Sequence, residues 1–322
     1  MAVLISRPAR MVISYDGSLV NRPLVSVILP VRDRAWCVAR AIRSVLAQTY
    51  QELELIVVDD GSTDGTREIV ESFGSAVKLL TQSHKGVYAA RNVALRHARG
   101  ELIAFIDSDD AWYPEKLALQ VPLFERAEVG LVYGDTVHVT RDLQPLGRRS
   151  FQLAPPLRGW AARGFAASVF IPMITAVVRR SALEEIGGFP ESHQLSTDML
   201  VWFRVALRHQ VDYVDVAVAD YTVHSGGISA ELGRALAARI ELFQAELAQT
   251  SDRATRKLLR RILFTLALRL AFAAFRGAAR NRSEAFAIAR RTLATVAGIE
   301  AGYWSMALIA HEVKIRSLRA LA

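Results

Sequence analysis

Two clusters of acidic side chains have a composition that could bind a metal ion and a phosphate group. Residues 59–64 (DDGSTD) directly follow the apolar segment LELIVV, and residues 107–110 (DSDD) directly follow LIAFI. The three carboxylates in 107–110 repel one another, so a cation is expected beside them. Mg²⁺ and Mn²⁺ bind carboxylate oxygens and share their remaining positions with water and substrate phosphates. The second cluster therefore predicts a metal–diphosphate site.

The first cluster has a second interpretation. Asp64 and Gly61 are equally typical of a turn that caps the next helix. For these two residues, the sequence alone leaves the functional and the structural roles open.

The glycine-rich motifs that bind phosphate groups are absent from the sequence. Neither the G-x-G-x-x-G pattern nor the P-loop lysine pattern occurs. This argues against a dinucleotide oxidoreductase and against a P-loop NTPase. Phosphate charge would then be met by the metal ion and by side chains such as Lys85 and Arg91, although a solvated position on a helix is equally consistent with Arg91.

The two clusters need a sheet that brings the ends of their strands together. Residues 24–140 alternate between strand-like segments and amphipathic helix-like segments. The predicted strands are 24–30, 53–58, 77–80, 102–106 and 131–133, and the predicted helices are 35–48, 64–73, 87–98 and 115–126. Apolar strands alternating with such helices favour an α/β fold with a parallel sheet covered on both faces. Ligands bind in the crevice at the carboxyl ends of such strands, so both clusters are expected to face it.

The pattern loosens beyond residue 140. A strand is predicted at 174–178 and a helix at 197–208. From residue 231 onward the sequence predicts only helix, with breaks near 250–252, 277 and 298–302.

Composition limits the class of protein. The chain has 322 residues, of which 52% are hydrophobic and 22% are charged, which is too apolar for a disordered protein. The single cysteine, Cys37, excludes a disulfide scaffold and suits a reducing compartment. Arg269 and Arg276 interrupt the apolar stretches near the C-terminus before they reach the ~18 residues that a membrane span needs. We expect a cytoplasmic protein, either soluble or peripheral at the inner face of the membrane.

The net charge of +8 lies in the C-terminal region. Residues 231–322 hold 16 Lys/Arg and 7 Asp/Glu, whereas residues 1–230 are close to neutral. An apolar stripe (Ile262, Leu263, Leu266, Leu270, Ala273 and Ala274) lies near arginines 260, 261, 269 and 276. The sequence favours an ordinary helical subdomain that packs on the rest of the chain or, as a homo-oligomer contact, on a second subunit. A peripheral membrane contact or a surface for a lipid-linked acceptor is the alternative. No nucleic-acid partner is expected, because the arginines are scattered and match no recognition motif.

Four segments, in order and spacing, resemble the family 2 glycosyltransferases with a GT-A fold. They are VSVILPVRDR (25–34), SVLAQTYQELELIVVDDGSTDGT (44–66), GVYAARNVAL (86–95) and GELIAFIDSDDAW (100–112). The resemblance is dense over 24–135, thinner to about 230, and absent from the tail. It implies a Rossmann-like, mostly parallel sheet flanked by helices.

The same resemblance implies a division of the chain. Residues 1–23 form an N-terminal extension, 24–230 the GT-A catalytic domain, and 231–322 a basic, all-helical C-terminal region. Within the catalytic domain, 24–140 is the nucleotide-binding half and 141–230 is the acceptor half.

The resemblance also assigns residues to the nucleotide. Pro30 and Arg32 would lie along the base, and Asp60 would accept a hydrogen bond from the base or ribose. Arg32 stands where family members often have an aromatic residue, so the identity of the base stays open. Lys85 and Arg91 are further candidates for contact with the nucleotide.

The metal site is assigned to the second acidic cluster. Asp107, Ser108 and Asp109 match the family's D-x-D element, in which Ser108 and Asp109 would touch the nucleotide. Asp109 and Asp110 would hold Mn²⁺ or Mg²⁺, with Asp110 as the more direct ligand. His224 resembles a histidine that closes over the diphosphate or metal in some members; a purely structural role is the alternative.

The catalytic base is assigned to the segment LSTDMLVW (195–202). Asp198 would take the proton from an acceptor hydroxyl, whereas the alternative is that it caps a helix beginning near Met199. Trp202, one turn later, would stack on an acceptor sugar or belong to the core.

The implied function is inverting, metal-dependent transfer of a single sugar from a nucleotide-diphosphate donor, with a UDP-sugar favoured. The acceptor would be a hydroxyl in glycan, polysaccharide or glycolipid assembly, on a glycan or a lipid-linked molecule. Processive relatives carry a Q-x-x-R-W element, which is absent here, so single-sugar addition is expected.

Two other classes stay open. An aspartate-nucleophile phosphatase-like hydrolase would also have Asp107-x-Asp109 after a strand, but Ala111 stands where its D-x-D-x-T motif has threonine. A non-catalytic nucleotide-binding scaffold of the same fold is the other.

Overall fold

The computed structural model describes residues 12–13, 19–20, 22–167, 171–191, 195–224, 232–275 and 281–296. The strands are β1 (Val12–Ile13), β2 (Leu19–Val20), β3 (Val25–Val31), β4 (Leu53–Asp59), β5 (Lys78–Thr81), β6 (Leu102–Phe105), β7 (Ala111–Trp112), β8 (Val129–Val139), β9 (Pro145–Arg149), β10 (Val177–Arg179) and β11 (Gln210–Thr222). The α-helices are α1 (Val38–Leu46), α2 (Thr66–Glu71), α3 (Val87–His97), α4 (Lys116–Gln120), α5 (Ser150–Leu153), α6 (Arg180–Glu185), α7 (Thr197–Ala206), α8 (Leu232–Gln249), α9 (Arg253–Phe275) and α10 (Arg282–Thr295). Short 3₁₀ helices cover Gly74–Ala76, Val121–Glu125, Ala161–Ala167 and Met173–Thr175.

A large sheet organises the described part of the chain. Its strand order is β5-β4-β3-β6-β10-β8-β11-β7, with β9 paired to β8 outside this path. The strands from β5 to β6 are parallel, whereas β10 is antiparallel to both β6 and β8. Beyond β10, β11 is parallel to β8, and β7 and β9 are antiparallel to their partners. The predicted α/β sheet flanked by helices is therefore confirmed, with parallel pairing in its first half and mixed pairing in its second.

The register of the parallel strands brings both acidic clusters to one edge. Val31 pairs with Asp59 at the ends of β3 and β4. Just beyond β6, Ile106 N donates to Ile28 O at 3.1 Å. Residues of both clusters consequently line the same cleft, as the sequence predicts.

Alternation along β3 separates two apolar cores. Val27 and Leu29 face the core that contains Val38 and Ile42 of α1. Ile28, between them, faces the other core, which is shared with α3, α7 and the C-terminal helices. Because successive side chains of a strand point to opposite faces, a β3 in which every residue is buried requires helices on both sides.

One predicted helix is interrupted. Instead of a helix over 115–126, α4 ends at Gln120 and a 3₁₀ helix, Val121–Glu125, follows. Pro122 lies at the start of that 3₁₀ helix. Proline lacks the N–H that an α-helix interior needs, and its ring clashes with the preceding turn.

The long strand β11 is absent from the sequence prediction. Its apolar residues alternate irregularly with Asp212, Asp215 and Asp220, so no continuous apolar run marks it. Asp212 is 2% exposed and forms ion pairs with Arg126 and Arg158. These partners are distant in sequence, and they allow a carboxylate to be buried within β11.

The C-terminal helices pack into the same core as the sheet. The apolar stripe of α9 is buried in the core that contains Ile28. Phe203 of α7 and Phe243 of α8 have ring centroids 5.6 Å apart, and Arg204 pairs with Glu246 at 2.5 Å. In its described part, the tail is thus the ordinary helical subdomain that the sequence favours.

The predicted break at 250–252 is confirmed between α8 and α9. The predicted breaks at 277 and 298–302, and Arg276, lie outside the described residues. None of the described helices combines the length and the hydrophobicity that a membrane span requires.

A test of this shared core is the replacement Phe243→Ala. Phe243 is 0% exposed, so we expect the free energy of unfolding to fall by about 3–5 kcal/mol, the range for removing a buried phenyl group. The matched control is Phe275→Ala on α9, where the side chain is 74% exposed and a change below about 0.5 kcal/mol is expected. Urea unfolding measures both. Equal unfolding midpoints for the two variants would contradict a common core.

Candidate active site

A cleft of about 950 Å³ opens at the carboxyl ends of β3, β4 and β6. Most of the site residues predicted from the sequence line it: Pro30, Arg32, Asp60, Arg91, Ser108, Asp109, Asp110 and Asp198. Three predicted residues, Lys85, Trp202 and His224, lie outside this lining.

The loops that follow β3 and β4 are bonded to each other. Ser62 Oγ accepts a hydrogen bond from Asp33 N at 3.1 Å, and Asp33 Oδ1 accepts from Thr63 N at 2.7 Å. Asp64 Oδ2 accepts from Ala35 N at 3.1 Å. Asp33 adopts a left-handed φ of 49°, which is uncommon for a residue with a side chain. Asp64 therefore has the structural role that the turn interpretation predicts. These hydrogen bonds also hold the loop after β3, which contains Arg32, against the loop after β4.

Asp60 organises the loop after β5. Its Oδ1 accepts from Gln82 Nε2 at 2.7 Å and from Lys85 N at 2.8 Å. Its Oδ2 accepts from Gly86 N and lies next to His84 Nδ1, both at 2.8 Å. Burial by itself raises the pKa of Asp60, but these hydrogen bonds outweigh burial and hold that pKa below its usual value. Lys85 thus contributes only its backbone N–H, which donates to Asp60, whereas its side chain is exposed and does not line the cleft.

Arg91 faces the second acidic cluster instead of solvent. Its side chain is 5% exposed, and its Nη2 lies 2.5 Å from Asp107 Oδ1. The guanidinium also lies over the rings of Tyr88 and Phe189, at 5.2 and 5.9 Å from their centroids. Burial raises the pKa of Asp107, and Arg91 opposes that rise. The solvated-helix interpretation of Arg91 is therefore wrong.

Asp110 is the most enclosed carboxylate of the cluster. It is 2% exposed, and its Oδ1 accepts from Thr222 N at 2.7 Å. Burial, followed by the neighbouring charges of Asp109 and Asp107, raises the pKa of Asp110 well above its usual value. Arg40 of α1 donates to the Asp109 carbonyl oxygen and, at 3.0 Å, to Thr222 Oγ1. These bonds join the loop after β6 to the end of β11.

Asp109 and His224 form the second pair of the cluster. Asp109 Oδ2 and His224 Nε2 are 2.7 Å apart, and the two side chains are 18% and 15% exposed. Among the described residues, no three His, Cys, Asp or Glu side chains are arranged to hold a metal ion by themselves. A magnesium ion that binds a nucleotide takes only one or two protein carboxylates and completes its coordination with phosphates and water. The Asp109 carboxylate suits Mg²⁺ or Mn²⁺, whereas an imidazole is more typical of transition metals, so the pair as a whole fits Mn²⁺ better than Mg²⁺.

Asp198 lies in the first turn of α7, which begins at Thr197. Ser196 is the N-cap residue, with a left-handed φ of 57°, and no side chain caps this helix by a hydrogen bond. The cap interpretation of Asp198 is therefore wrong, and its side chain lines the cleft. Thr197 N donates to the Tyr88 hydroxyl at 3.0 Å, which ties the start of α7 to α3.

Trp202 is a core residue. It is 1% exposed and packs against Phe105 and Phe189, at centroid distances of 5.9 and 6.4 Å. The prediction that it contacts an acceptor is wrong, because α7 enters the core within its first two turns and only its start reaches the cleft.

Three arginines of the site have no signal in the sequence. Arg40 lies on an amphipathic helix with no motif around it. Arg234 and Arg239 of α8 line the cleft, although their helix lies in the tail that the family resemblance does not cover. Only the packing of α8 against α7 brings them to the site.

The mixed sheet, its flanking helices and the position of the cleft define an α/β protein of the GT-A fold class. The model of the family described as glycosyl transferase family 2 matches residues 26–187, which is half of the chain, and the protein belongs to that family.

One curated relative is the Escherichia coli UDP-Glc:alpha-D-GlcNAc-diphosphoundecaprenol beta-1,3-glucosyltransferase WfgD. It is 43% identical over 114 residues, which cover 35% of this chain and 45% of WfgD. The match thus spans less than half of that relative.

Two solved structures share the fold. The mannosyltransferase PcManGT from Pyrobaculum calidifontis, in complex with GDP-Man and Mn²⁺, has a TM-score of 0.62 and 22% identity, over 97% of this chain and 84% of PcManGT. S. aureus TarS 1-349 in complex with UDP-GlcNAc has a TM-score of 0.59 and 22% identity, over 74% of this chain and 71% of TarS. At this identity, the likeness concerns the fold.

The role of Asp60 can be tested by Asp60→Asn. The substitution replaces one carboxylate oxygen with an amide NH₂ group, which cannot accept the hydrogen bonds that Asp60 accepts from residues 82–86. We therefore expect the free energy of unfolding at pH 7 to fall by about 1–3 kcal/mol. Because the pKa of Asp60 is lowered in the folded state, its contribution is present above about pH 4 and is lost as the pH falls through the lowered pKa. Urea unfolding at a series of pH values measures the effect.

The control for this test is Asp142→Asn, at an exposed turn residue. It should leave the pH dependence of stability unchanged, and the difference between the two variants should shrink below pH 4. If Asp60→Asn were as stable as Asp142→Asn at pH 7, the hydrogen bonds of Asp60 would not stabilise the fold.

Proposed function

We propose that the protein is an inverting glycosyltransferase that moves one sugar from a nucleotide-diphosphate donor to a hydroxyl of an acceptor in glycan, polysaccharide or glycolipid assembly. The observation that carries the proposal is the single cleft that holds both Asp198 and the acidic cluster 107–110. Family membership supports the reaction class. The names of WfgD and of the TarS complex support a UDP-sugar donor, and that of WfgD supports a lipid-linked acceptor.

Asp198 is the proposed general base. It accepts the proton of the acceptor hydroxyl while that oxygen forms a bond to the anomeric carbon and the bond from this carbon to the diphosphate oxygen breaks. Attack from the face opposite the diphosphate inverts the anomeric configuration. Its position in the first turn of α7, without a capping bond, leaves the carboxylate available for this step.

Asp109 and His224 are the residues that would hold a divalent ion, Mn²⁺ or Mg²⁺. When bound, such an ion neutralises the negative charge that develops on the leaving diphosphate. Their 2.7 Å contact brings a carboxylate and an imidazole together. Asp110 is nearly inaccessible and accepts a backbone hydrogen bond, so we assign it a supporting role behind Asp109 instead of the predicted direct ligation.

The remaining assignments follow the lining of the cleft. Pro30, Arg32 and Ser108 are proposed nucleotide contacts. Arg91 acts by neutralising Asp107, and Asp60 by holding the loop of residues 82–86. The domain boundaries at residues 24 and 230 remain proposals.

The cellular site of the protein is also a proposal. The apolar stripe of α9 is buried, so a contact with an anionic membrane would use exposed basic positions such as Arg253 and Lys257. A cytoplasmic enzyme at the inner face of the membrane, or a homo-oligomer through the tail, stays a prediction.

The test of the function is Asp198→Asn. We expect kcat to fall by about 10²–10⁴-fold, the usual contribution of a general base, with unchanged affinity for the donor nucleotide. Release of UDP from a UDP-sugar, with and without a diphosphate-lipid-linked sugar acceptor, measures the rate, and mass spectrometry identifies the product. Asp215→Asn, at an exposed position of β11, is the control and should retain full activity.

Other outcomes distinguish the alternatives. Full activity of Asp198→Asn would assign the base to another residue. Nucleotide binding by the wild type without turnover on any acceptor would favour a scaffold. Release of inorganic phosphate from simple esters would favour the hydrolase.

The metal assignment predicts that Mn²⁺ strengthens UDP binding. A ligand at about 100 times its dissociation constant adds roughly 2.7 kcal/mol to the free energy of unfolding, so UDP with Mn²⁺ should raise the melting temperature by several degrees. Asp109→Asn and His224→Gln should each reduce this manganese-dependent shift. His209→Gln is the control, because His209 pairs with Glu185 away from the cleft. A shift of wild-type size in both site variants would place the ion elsewhere.

A further inference from the structure

One wall of the cleft is basic and comes from the tail. Arg234, Ala235 and Arg239 of α8 line the cleft. These positions lie beyond residues 26–187, which the family model matches. The mechanism proposed for the donor and for Asp198 does not use either arginine.

Helix packing brings this basic wall to the cleft that contains Asp198. Phe203 of α7 packs on Phe243 of α8, and Arg204 of α7 pairs with Glu246 of α8. These contacts hold α8 against α7, the helix whose first turn contains Asp198. Asp198, Arg234 and Arg239 line the same cleft.

The charges of this wall favour an anion. Arg239 Nε is buried and has no hydrogen-bond partner in the part of the chain that the structure describes. Arg269 of α9 is close by: burial, and then the positive charge of Arg239, lower its pKa to about 10. A buried N–H donor is unfavourable unless an acceptor reaches it, and an anionic oxygen is the strongest such acceptor.

We infer that Arg234 and Arg239 bind the diphosphate group of a lipid-linked acceptor, at a subsite separate from the one that holds the donor diphosphate. The inference rests on the proposed function. The proposed site for the donor diphosphate uses Asp109 and His224. By contrast, α8 packs against α7, the helix that carries the proposed base, and this base must meet the acceptor hydroxyl. The guanidinium of arginine presents parallel N–H donors that match phosphate oxygens. The acceptor is therefore recognised at its sugar hydroxyl and at its diphosphate by neighbouring helices.

The test compares two acceptors that carry the same sugar, one linked through diphosphate to a short lipid and one a phenyl glycoside without phosphate. In Arg239→Gln we expect the KM for the diphosphate acceptor to rise about tenfold or more, as for loss of a charged hydrogen bond, with kcat and the KM for the phenyl glycoside unchanged. Arg234→Gln should act in the same direction, and Arg239→Lys should recover part of the loss. Arg260→Gln, at an exposed position of α9 outside the cleft, is the control.

Two results would overturn the inference. An equal rise in KM for both acceptors would mean that Arg239 has only a structural role, which the melting temperature of the variant would also report. A rise in the KM for the UDP-sugar, with the acceptor KM unchanged, would assign the arginines to the donor diphosphate.

A binding measurement keeps the inference testable if the wild type transfers no sugar and the proposed function fails. Calorimetry of farnesyl diphosphate is performed on protein saturated with UDP and Mn²⁺. Binding that is lost in Arg239→Gln and retained in Arg260→Gln supports the subsite. Absence of binding to the wild type, or equal binding by the two variants, contradicts it.

Discussion

Three carboxylates within four residues at the end of β6 can lie close together only if each of them is compensated, and the site depends on this constraint. Arg91 of α3 pairs with the first, His224 after β11 pairs with the second, and the backbone N–H of Thr222 bonds to the third. The compensating groups come from segments distant in sequence. The cleft is therefore complete only when both halves of the sheet have assembled. The contacts that set the geometry of the site are also contacts that hold the fold together.

The sequence predicts those parts of the fold whose signals are local. β3, β4 and β6 are mostly apolar, which is typical of buried parallel strands, and their ends locate Asp60 and Asp109 correctly. β11 is missed because Asp212 interrupts its apolar pattern, and the arginines that compensate it come from segments distant in sequence. Trp202 shares a helical face with Asp198 but lies one turn further along α7, where the helix is already buried in the core. The spacing of residues along a helix does not indicate how deeply each of them is buried.

The tail shows a second limit of reasoning from local patterns. An apolar stripe with arginines around it has the same appearance whether it covers a core or meets a lipid surface. The burial of Ile262 and Leu266 decides for the core, and this packing turns α8 toward the cleft. Part of the positive charge of the tail therefore lies at the cleft, on Arg234 and Arg239.

The residues on the two sides of α8 differ in the substitutions that they can accept. Leu236, Ile240 and Phe243 fill the core, while Arg234 and Arg239 face the cleft. Substitutions at the two cleft positions change the chemistry of the wall without removing core volume, whereas a shift of the helix would disrupt both. Along a lineage of such proteins, the chemistry of this wall can change by single substitutions on a fixed scaffold, while Asp198 and the acidic cluster stay in place.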